Sequence, residues 1–147
     1  MLNHWLNEQT ICIRDRVADW QQALVIAAKP LLAQGIIHAD YVPAIIHQHH
    51  KLGPYYVLAP GLAMPHARPE EGAHGQGLAL LKLHQGVAFG AGEFDPVSLI
   101  IMLAAPDADS HIVMISSLAE LFSCPEDLAA LHQAQTLAQI NNIISRY

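Results

Sequence analysis

The segment VSLIIMLA, Val97–Ala104, is apolar at every position except Ser98. A strand with one solvent-exposed face alternates apolar and polar residues, whereas a strand covered on both faces is almost continuously apolar. The segment therefore predicts the central strand of a sheet that is covered by helices on both sides.

Three more segments are predicted as strands. Residues 10–17, TICIRDRV, alternate apolar and polar side chains, which is typical of a short, half-buried strand. Residues 55–58 and 78–83 are apolar segments on either side of a stretch rich in proline and glycine. Tyr55 and Tyr56 point to opposite faces of the first of these. We expect one tyrosine to pack in the core and the other to lie near the proline-rich stretch.

Two helices are predicted between the first two strands. Asp19 and Gln22 have the spacing of a capping box, and apolar residues then recur at helical period. This helix is expected to end at Gly35, with Pro30 kinking it or ending its regular part early. A second helix is expected to begin at Asp40 and to end before the proline- and glycine-rich stretch.

Three helices are predicted after the central strand. Asp109 or Ser110 can cap the first, which then runs to Phe122. Two shorter helices follow, at residues 126–132 and 137–145. Because helices both precede and follow the strands, they can cover both faces of the sheet.

The order of these elements predicts the fold class. It indicates an α/β protein (α+β in some schemes), namely a three-layer α/β/α sandwich with a small mixed central sheet. The chain has no visible linker or internal repeat, and 147 residues is a typical length for one domain. We therefore expect residues 1–147 to form a single domain.

The composition argues against several classes of protein. The net charge is −6 and the seven Lys and Arg residues are scattered, whereas a nucleic-acid binder needs clustered cations. The sequence has neither an apolar run long enough for a membrane span nor a recognisable secretion signal. Cys12 and Cys124 lie far apart, which favours free thiols in a reducing compartment. These features predict a cytoplasmic protein.

The candidate site lies in GPYYVLAPGLAMPHARPEEGA, residues 53–73, where Pro65 precedes His66 and the pair Arg68-Pro69 follows closely. An imidazole with an ordinary pKa near 6.5 is partly neutral at cytoplasmic pH, so one nitrogen keeps a lone pair. Such a group can be a general base, a metal ligand or a phosphoryl acceptor. Arg68 can present several donors to a phosphate. A rigid surface loop without a function is the plainer alternative.

Two motifs resemble a known family. APGLAMPHARPEEGA is similar to the active-site motif of the enzyme IIA components of the bacterial phosphoenolpyruvate-dependent sugar phosphotransferase system, of the mannitol/fructose type. The preceding GPYYVLAPG is closer to the ascorbate-specific branch. Residues 95–122 resemble the second motif of the family, a buried strand and then a helix with another histidine near its start. The resemblance covers nearly the whole chain and implies a mixed sheet between helical layers.

The resemblance implies a phosphocarrier. His66 would take a phosphoryl group from the histidine-containing phosphocarrier protein and pass it to a cysteine of enzyme IIB, which serves the membrane component enzyme IIC. No metal and no bound cofactor are expected, because this chemistry needs mainly positioning and charge neutralisation. Neither the transported sugar nor the oligomeric state follows from the sequence, and a homodimer is one of the options.

His111 is implied as the second histidine of the site. It lies in the first turn of a predicted helix, where free N–H groups and the helix dipole favour a phosphate. Without the resemblance, a histidine facing solvent at a helix start is the simpler interpretation. The other candidates are Arg68 and Ser110 for phosphate binding and Met64 and Ala67 for partner contacts.

The chain departs from the mannitol and fructose types at one point. Those proteins have an arginine upstream of the motif, at a place that aligns near residues 49–51, where this chain has none. Lys51 or Arg68 can supply the missing positive charge, or no residue does.

Two other functions compete with the phosphocarrier. One is a regulatory module that keeps the fold and is phosphorylated as a signal without feeding transport. The other is a metal-dependent hydrolase, since His47 and His50 have a spacing that a metal site can use. It is the least favoured, because no further ligands accompany this pair. The GQG at residues 75–77 lacks the context of a nucleotide-binding loop, so no ATP site is expected.

Overall fold

The structure is a computed structural model that describes residues 1–109 and 111–147. Ser110, which the sequence suggested as a helix cap and phosphate contact, therefore lies outside the described residues. The strands are β1 Ile11–Arg14, β2 Val57–Ala59, β3 Leu62–Ala63, β4 Gly77–Val87 and β5 Val97–Ala104. The helices are α1 Trp20–Ala33, α2 Tyr41–Leu52, α3 Ile112–Phe122, α4 Pro125–Gln133 and α5 Leu137–Ile144.

The strands form one mixed sheet in the order β1-β4-β5-β3-β2. β1 runs parallel to β4, and β3 runs parallel to β5. The β4–β5 and β2–β3 pairs are antiparallel. The predicted small mixed sheet is therefore confirmed, with β5 in the middle.

β5 shows why its sequence is almost continuously apolar. Ile100, Met102 and Ala104 pack into the core that contains α1 and α2. Leu99, Ile101 and Leu103 pack into the opposite core, beneath α3, α4 and α5. Both faces of the strand are covered, which confirms the three-layer α/β/α architecture.

Most predicted helix boundaries agree with the structure. The Asp19 side chain accepts a hydrogen bond from the Gln22 N–H, so it caps α1 as its spacing indicates. Pro30 lies inside α1 and does not end it early, and the helix stops just before Gly35, whose φ is +71°. α2 begins after Asp40, although the Asp40 side chain makes no capping hydrogen bond.

Several strand predictions need correction. β1 covers only the middle of residues 10–17, and β2 begins two residues later than predicted. β4 extends beyond residues 78–83 in both directions, up to Val87. β3, Leu62–Ala63, was not predicted, because a strand of two residues has no detectable periodicity. It is nevertheless the strand that leads into the His66 loop.

Among the helices of the described residues, none has the length and apolar character that crossing a membrane requires.

Candidate active site

The parallel pairing of β3 with β5 places two loops at the same edge of the sheet. Leu62 pairs with Leu99 and Ala63 with Ile100, so the carboxyl ends of both strands point the same way. The loop after β3 contains His66, and the loop after β5 leads to His111. Two histidines that are far apart in sequence therefore meet at one edge.

A pocket of about 400 Å³ lies where these loops meet the last turns of α2. His66, Ala67, Arg68 and Pro69 form one wall, and Leu103, Ala105, Ala108 and His111 form another. α2 and the segments around it complete the pocket with the side chains of Gln48, Leu52, Tyr55 and Glu71. The structure thus brings together three predicted site residues, His66, Arg68 and His111, and places Ala67 beside them.

The His66 imidazole is half-buried, and its Nδ1 lies 3.0 Å from the backbone oxygen of Met64. A carbonyl oxygen can only accept a hydrogen bond, so Nδ1 carries the proton and donates it. In the neutral ring the lone pair then belongs to Nε2. The loop backbone therefore favours the tautomer in which Nε2 keeps the lone pair.

His111 occupies the N-cap of α3, where Asp109 or Ser110 was predicted. The prediction was wrong for Asp109, because the His111 carbonyl already accepts the first intrahelical bond, from the Ile115 N–H at 2.9 Å. The Ser110 alternative lies outside the described residues. Its side chain is half-buried in the pocket wall and does not cap the helix. Its Nδ1 is buried and has no hydrogen-bond partner within residues 1–109 and 111–147. The simpler interpretation, a histidine facing solvent, does not hold.

Arg68 is the positively charged side chain that the structure brings to the pocket, whereas Lys51 is exposed and is not part of its wall. From the last turns of α2, Gln48 and Leu52 reach the pocket. The sequence suggested a cation near this position and missed the neutral amide of Gln48. An amphipathic helix face gives no sign of which polar side chain will border a distant loop.

Met64 and Ala67, the candidate partner contacts, are both half-buried. The Met64 side chain packs against the core beneath α3 to α5, and Ala67 packs against the core on the other side of the sheet. Ala67 also lines the pocket. Their contact with a partner stays a prediction.

Comparisons with known proteins identify the family. The family described as "Phosphoenolpyruvate-dependent sugar phosphotransferase system, EIIA 2" matches residues 4–147. The chain belongs to this family. Its members are phosphotransferases that carry a phosphohistidine, so this enzyme IIA is a phosphocarrier of the sugar phosphotransferase system.

Two relatives differ in the sugar that they are named for. The mannitol-specific cryptic enzyme IIA component of Escherichia coli is 43% identical over 145 residues, which cover 99% of this chain and 98% of the relative. Its solution structure has a TM-score of 0.92 and covers 99% of both chains. The ascorbate-specific enzyme IIA of Escherichia coli is 35% identical over 139 residues, covering 94% of this chain and 90% of the relative. These identities do not favour the ascorbate-specific branch over the mannitol type.

A third comparison concerns a complex. The enzyme IIA of the Escherichia coli mannitol system, solved with phosphorylated enzyme IIB, has a TM-score of 0.81 at 24% identity. The similarity covers 96% of this chain and 97% of that one. At this identity the comparison shows a shared fold.

The histidine-rich end of α2 in this enzyme IIA has a structural role. His49 is only 8% exposed; its ring stacks on Trp20 with centroids 3.7 Å apart, and its Nδ1 lies 2.6 Å from the Tyr56 hydroxyl. His47 and His50, the pair considered for a metal, are exposed. Over the residues that the structure describes, no group of three or more His, Cys, Asp or Glu side chains could hold a metal ion.

Burial lowers the pKa of His49 below 6.5, with a smaller effect from the neighbouring His50, and burial also lowers that of His132. The unfolded chain therefore takes up these protons before the folded chain does. The contribution of these two histidines to the free energy of unfolding should be present in full above the ordinary pKa of 6.5. It should be lost progressively as the pH drops below that value.

Urea unfolding between about pH 5.5 and pH 7.5 tests this effect, because most carboxylates stay ionised in that range. His49→Gln should lower the stability at every pH but reduce its slope with pH. His47→Gln, at an exposed position on the same helix, is the control and should keep the wild-type slope. An unchanged slope in His49→Gln would show that His49 does not titrate as described.

Proposed function

We propose that His66 accepts a phosphoryl group from the histidine-containing phosphocarrier protein and passes it to a cysteine of an enzyme IIB. The reaction takes place in the cytoplasm, and enzyme IIB then supplies the membrane component enzyme IIC. One observation carries the proposal. In the pocket that His66 shares with His111, the Nδ1 of His66 donates a hydrogen bond to the Met64 backbone oxygen, which leaves the lone pair on Nε2.

The first transfer is an in-line displacement at phosphorus. The Nε2 lone pair of His66 attacks the phosphorus of the phosphohistidine on the carrier protein and forms a new N–P bond. The old N–P bond breaks, and its electron pair returns to the carrier's imidazole. The Nδ1–H bond to the Met64 oxygen stabilises the ring of the phosphorylated form, because this nitrogen keeps its proton.

In the second transfer the phosphorylated His66 is the donor of the phosphoryl group. A thiolate of enzyme IIB attacks the same phosphorus, an S–P bond forms and the N–P bond to His66 breaks. The electron pair returns to Nε2, so His66 ends as the neutral tautomer from which it started. No proton has to leave the site in either step.

The pocket offers groups that can hold the phosphoryl oxygens. Arg68 contributes a positive charge and His111 a ring nitrogen. Because Nδ1 of His111 is buried, Nε2 is the ring nitrogen that a phosphoryl oxygen can reach. The N-terminal end of the α3 dipole, beside His111, also favours an anion, although the first N–H of the helix, that of Ile112, already donates to the Asp109 oxygen at 3.3 Å. Ser110 stays a predicted phosphate contact.

An enzyme IIB partner is supported by the related mannitol system, in which an enzyme IIA of the same fold forms a complex with phosphorylated enzyme IIB. An ascorbate-like sugar stays the prediction of the GPYYVLAPG stretch. The relatives named for mannitol and for ascorbate leave both sugars as substrates to test. Sugar specificity is expected to lie in the membrane component.

The proposal predicts a phosphohistidine that forms in solution. Phosphoenolpyruvate, enzyme I and the carrier protein should add one phosphoryl group to the chain. The group should be stable in base and lost in acid, as an N–P bond is. Mass spectrometry of the intact protein and of its peptides checks the number of groups and their position. A label that survives acid, or one on a different histidine, would contradict the proposal.

Onward transfer separates transport from a regulatory role. If the labelled chain passes its group to an enzyme IIB encoded beside it, the phosphocarrier role in transport is supported. If the label forms and no such enzyme IIB takes it, the regulatory module is the better description.

A further inference from the structure

The loop around His66 is held largely by side chains. Residues 64–68 form neither helix nor strand, and Pro65 provides no N–H for a backbone ladder. Two backbone bonds fix its start, from the Met64 N–H to the Tyr56 oxygen and from the Leu103 N–H to the Pro65 oxygen. Beyond these, two tyrosine hydroxyls bind the peptide groups on the far side of the nucleophile.

The Tyr41 hydroxyl links three elements. It accepts a hydrogen bond from the Ala67 N–H at 3.1 Å and donates one to the Leu103 oxygen at 2.7 Å. The side chain is 1% exposed at the start of α2, so neither bond competes with water. Burial raises the pKa of Tyr41 to about 12, and the hydroxyl therefore keeps the proton that it donates. The residue after the nucleophile is tied to both α2 and β5.

The Tyr55 hydroxyl holds the carbonyl side of the same His66–Ala67 peptide group. It donates a hydrogen bond to the His66 backbone oxygen at 3.1 Å. The Tyr55 ring also meets the His66 imidazole edge-on, with centroids 6.2 Å apart. Burial and the nearby Glu71 raise the pKa of Tyr55, which keeps this donor protonated as well. Tyr55 is 40% exposed and lines the pocket, so its replacement disturbs little of the core.

We propose that the hydroxyls of Tyr41 and Tyr55 are positioning groups, which fix the peptide on the far side of His66 so that Nε2 keeps one direction of approach. The inference rests on the proposed function, since it concerns the same nucleophile. The ring is anchored by the hydrogen bond from Nδ1 to the Met64 oxygen, two residues back along the same loop. That bond orients the ring only while the loop keeps its shape. In-line transfer loses rate steeply when the nucleophile departs from its line of attack.

Two variants test the proposal, Tyr41→Phe and Tyr55→Phe, and Tyr147→Phe is the control. The Tyr147 hydroxyl bonds to Asp127, and this tyrosine is not part of the pocket wall. Tyr41→Phe and Tyr55→Phe each remove one hydroxyl and keep the ring. Steady-state transfer from the phosphorylated carrier protein through this chain to enzyme IIB, the final acceptor, gives kcat and the KM for the carrier protein. Nitrogen-15 NMR of the imidazoles gives the tautomer of His66, with His66→Ala identifying its signals.

Each tyrosine variant should lower kcat by about two- to tenfold with little change in KM, as expected for one lost hydrogen bond that matters for geometry. The share of His66 protonated on Nδ1 should fall in both variants, and the Ala67 amide should exchange faster in Tyr41→Phe. Tyr147→Phe should change none of these values. Tyr55→Phe keeps the test valid if Tyr41→Phe folds poorly.

Wild-type kcat and an unchanged tautomer in Tyr55→Phe would overturn the proposal. A rise in the KM for the carrier protein without a change in kcat in Tyr55→Phe would overturn it too, because it would identify Tyr55 as a contact for the carrier protein. Failure of the proposed function has a different signature, in which the wild-type chain itself takes no label or His66→Ala is labelled. The NMR measurement would still decide in that case whether the two hydroxyls fix the imidazole.

Discussion

His66→Ala should abolish phosphorylation by the phosphorylated carrier protein, with the incorporated label falling to background. The alanine removes the only atom proposed to form the N–P bond. His111, the other histidine of the described pocket wall, belongs to a different loop, so we do not expect it to replace this atom. Residual labelling of about one group per chain would assign the nucleophile elsewhere.

The loss should occur without unfolding. The His66 ring is half-buried, and within residues 1–109 and 111–147 its one hydrogen bond is to the Met64 oxygen. Removing that bond should cost about 1 kcal/mol of stability, which shifts the melting temperature by a few degrees at most. His47→Ala, at an exposed position on α2, is the matched control and should keep both full labelling and the wild-type melting curve. Loss of label together with loss of the melting transition would leave the nucleophile unassigned and contradict this prediction.

The central strand and most helices could be predicted from the sequence because their signals are local. β5 has the bounds that its apolar run predicts, since burial on both faces leaves no position for a polar residue except Ser98 near its start. The start of α5 also has a local signal, a capping box in which the Thr136 hydroxyl accepts a hydrogen bond from the Gln139 N–H. Capping and burial patterns act within a few residues of the chain and can be read directly.

The site could be predicted only in part, because its walls come from distant segments. His66 and Tyr55 lie within one stretch. The sequence predicted that one of Tyr55 and Tyr56 packs in the core and the other lies near the loop, and the structure places Tyr56 in the core and Tyr55 near the loop. Gln48 and Tyr41 belong to α2, and nothing in their own helix indicates that they will meet a loop beyond β3. Their roles depend on the tertiary structure.

β3 is the strand that the sequence did not predict, and the meeting of the two histidines depends on it. A strand of two residues is invisible to periodicity, yet its parallel pairing with β5 brings the two histidines to one edge. The turn before it offered the one usable signal, Pro60-Gly61, in which Gly61 has φ +76°. The ring of His132 lies so close that a Cβ on Gly61 would meet its Cε1 at 3.0 Å. The backbone angle favours glycine, and at this distance the His132 ring would have to shift to admit any side chain.

His111→Ala should still accept a phosphoryl group at His66 but pass it to enzyme IIB about ten- to a hundredfold more slowly, the effect of losing one hydrogen bond to a charged group in the transition state. The nucleophile and its tautomer depend on Met64 and not on His111. Arg68 and the dipole of α3 also remain, so acceptance should survive. Onward transfer is the step in which the phosphoryl oxygens must be held while the N–P bond to His66 breaks.

Two further variants distinguish a positioned donor from a general charge effect. His111→Gln keeps a neutral donor near the place of Nε2 and should recover part of the lost rate. Arg68→Ala removes the pocket's positive charge and should weaken retention of the phosphoryl group in general, seen as faster hydrolysis of the phosphorylated chain. Rapid-quench measurement of both half-reactions separates these effects. If His111→Ala passes its group to enzyme IIB at the wild-type rate, the half-buried ring at the N-cap of α3 serves only the packing of the pocket wall.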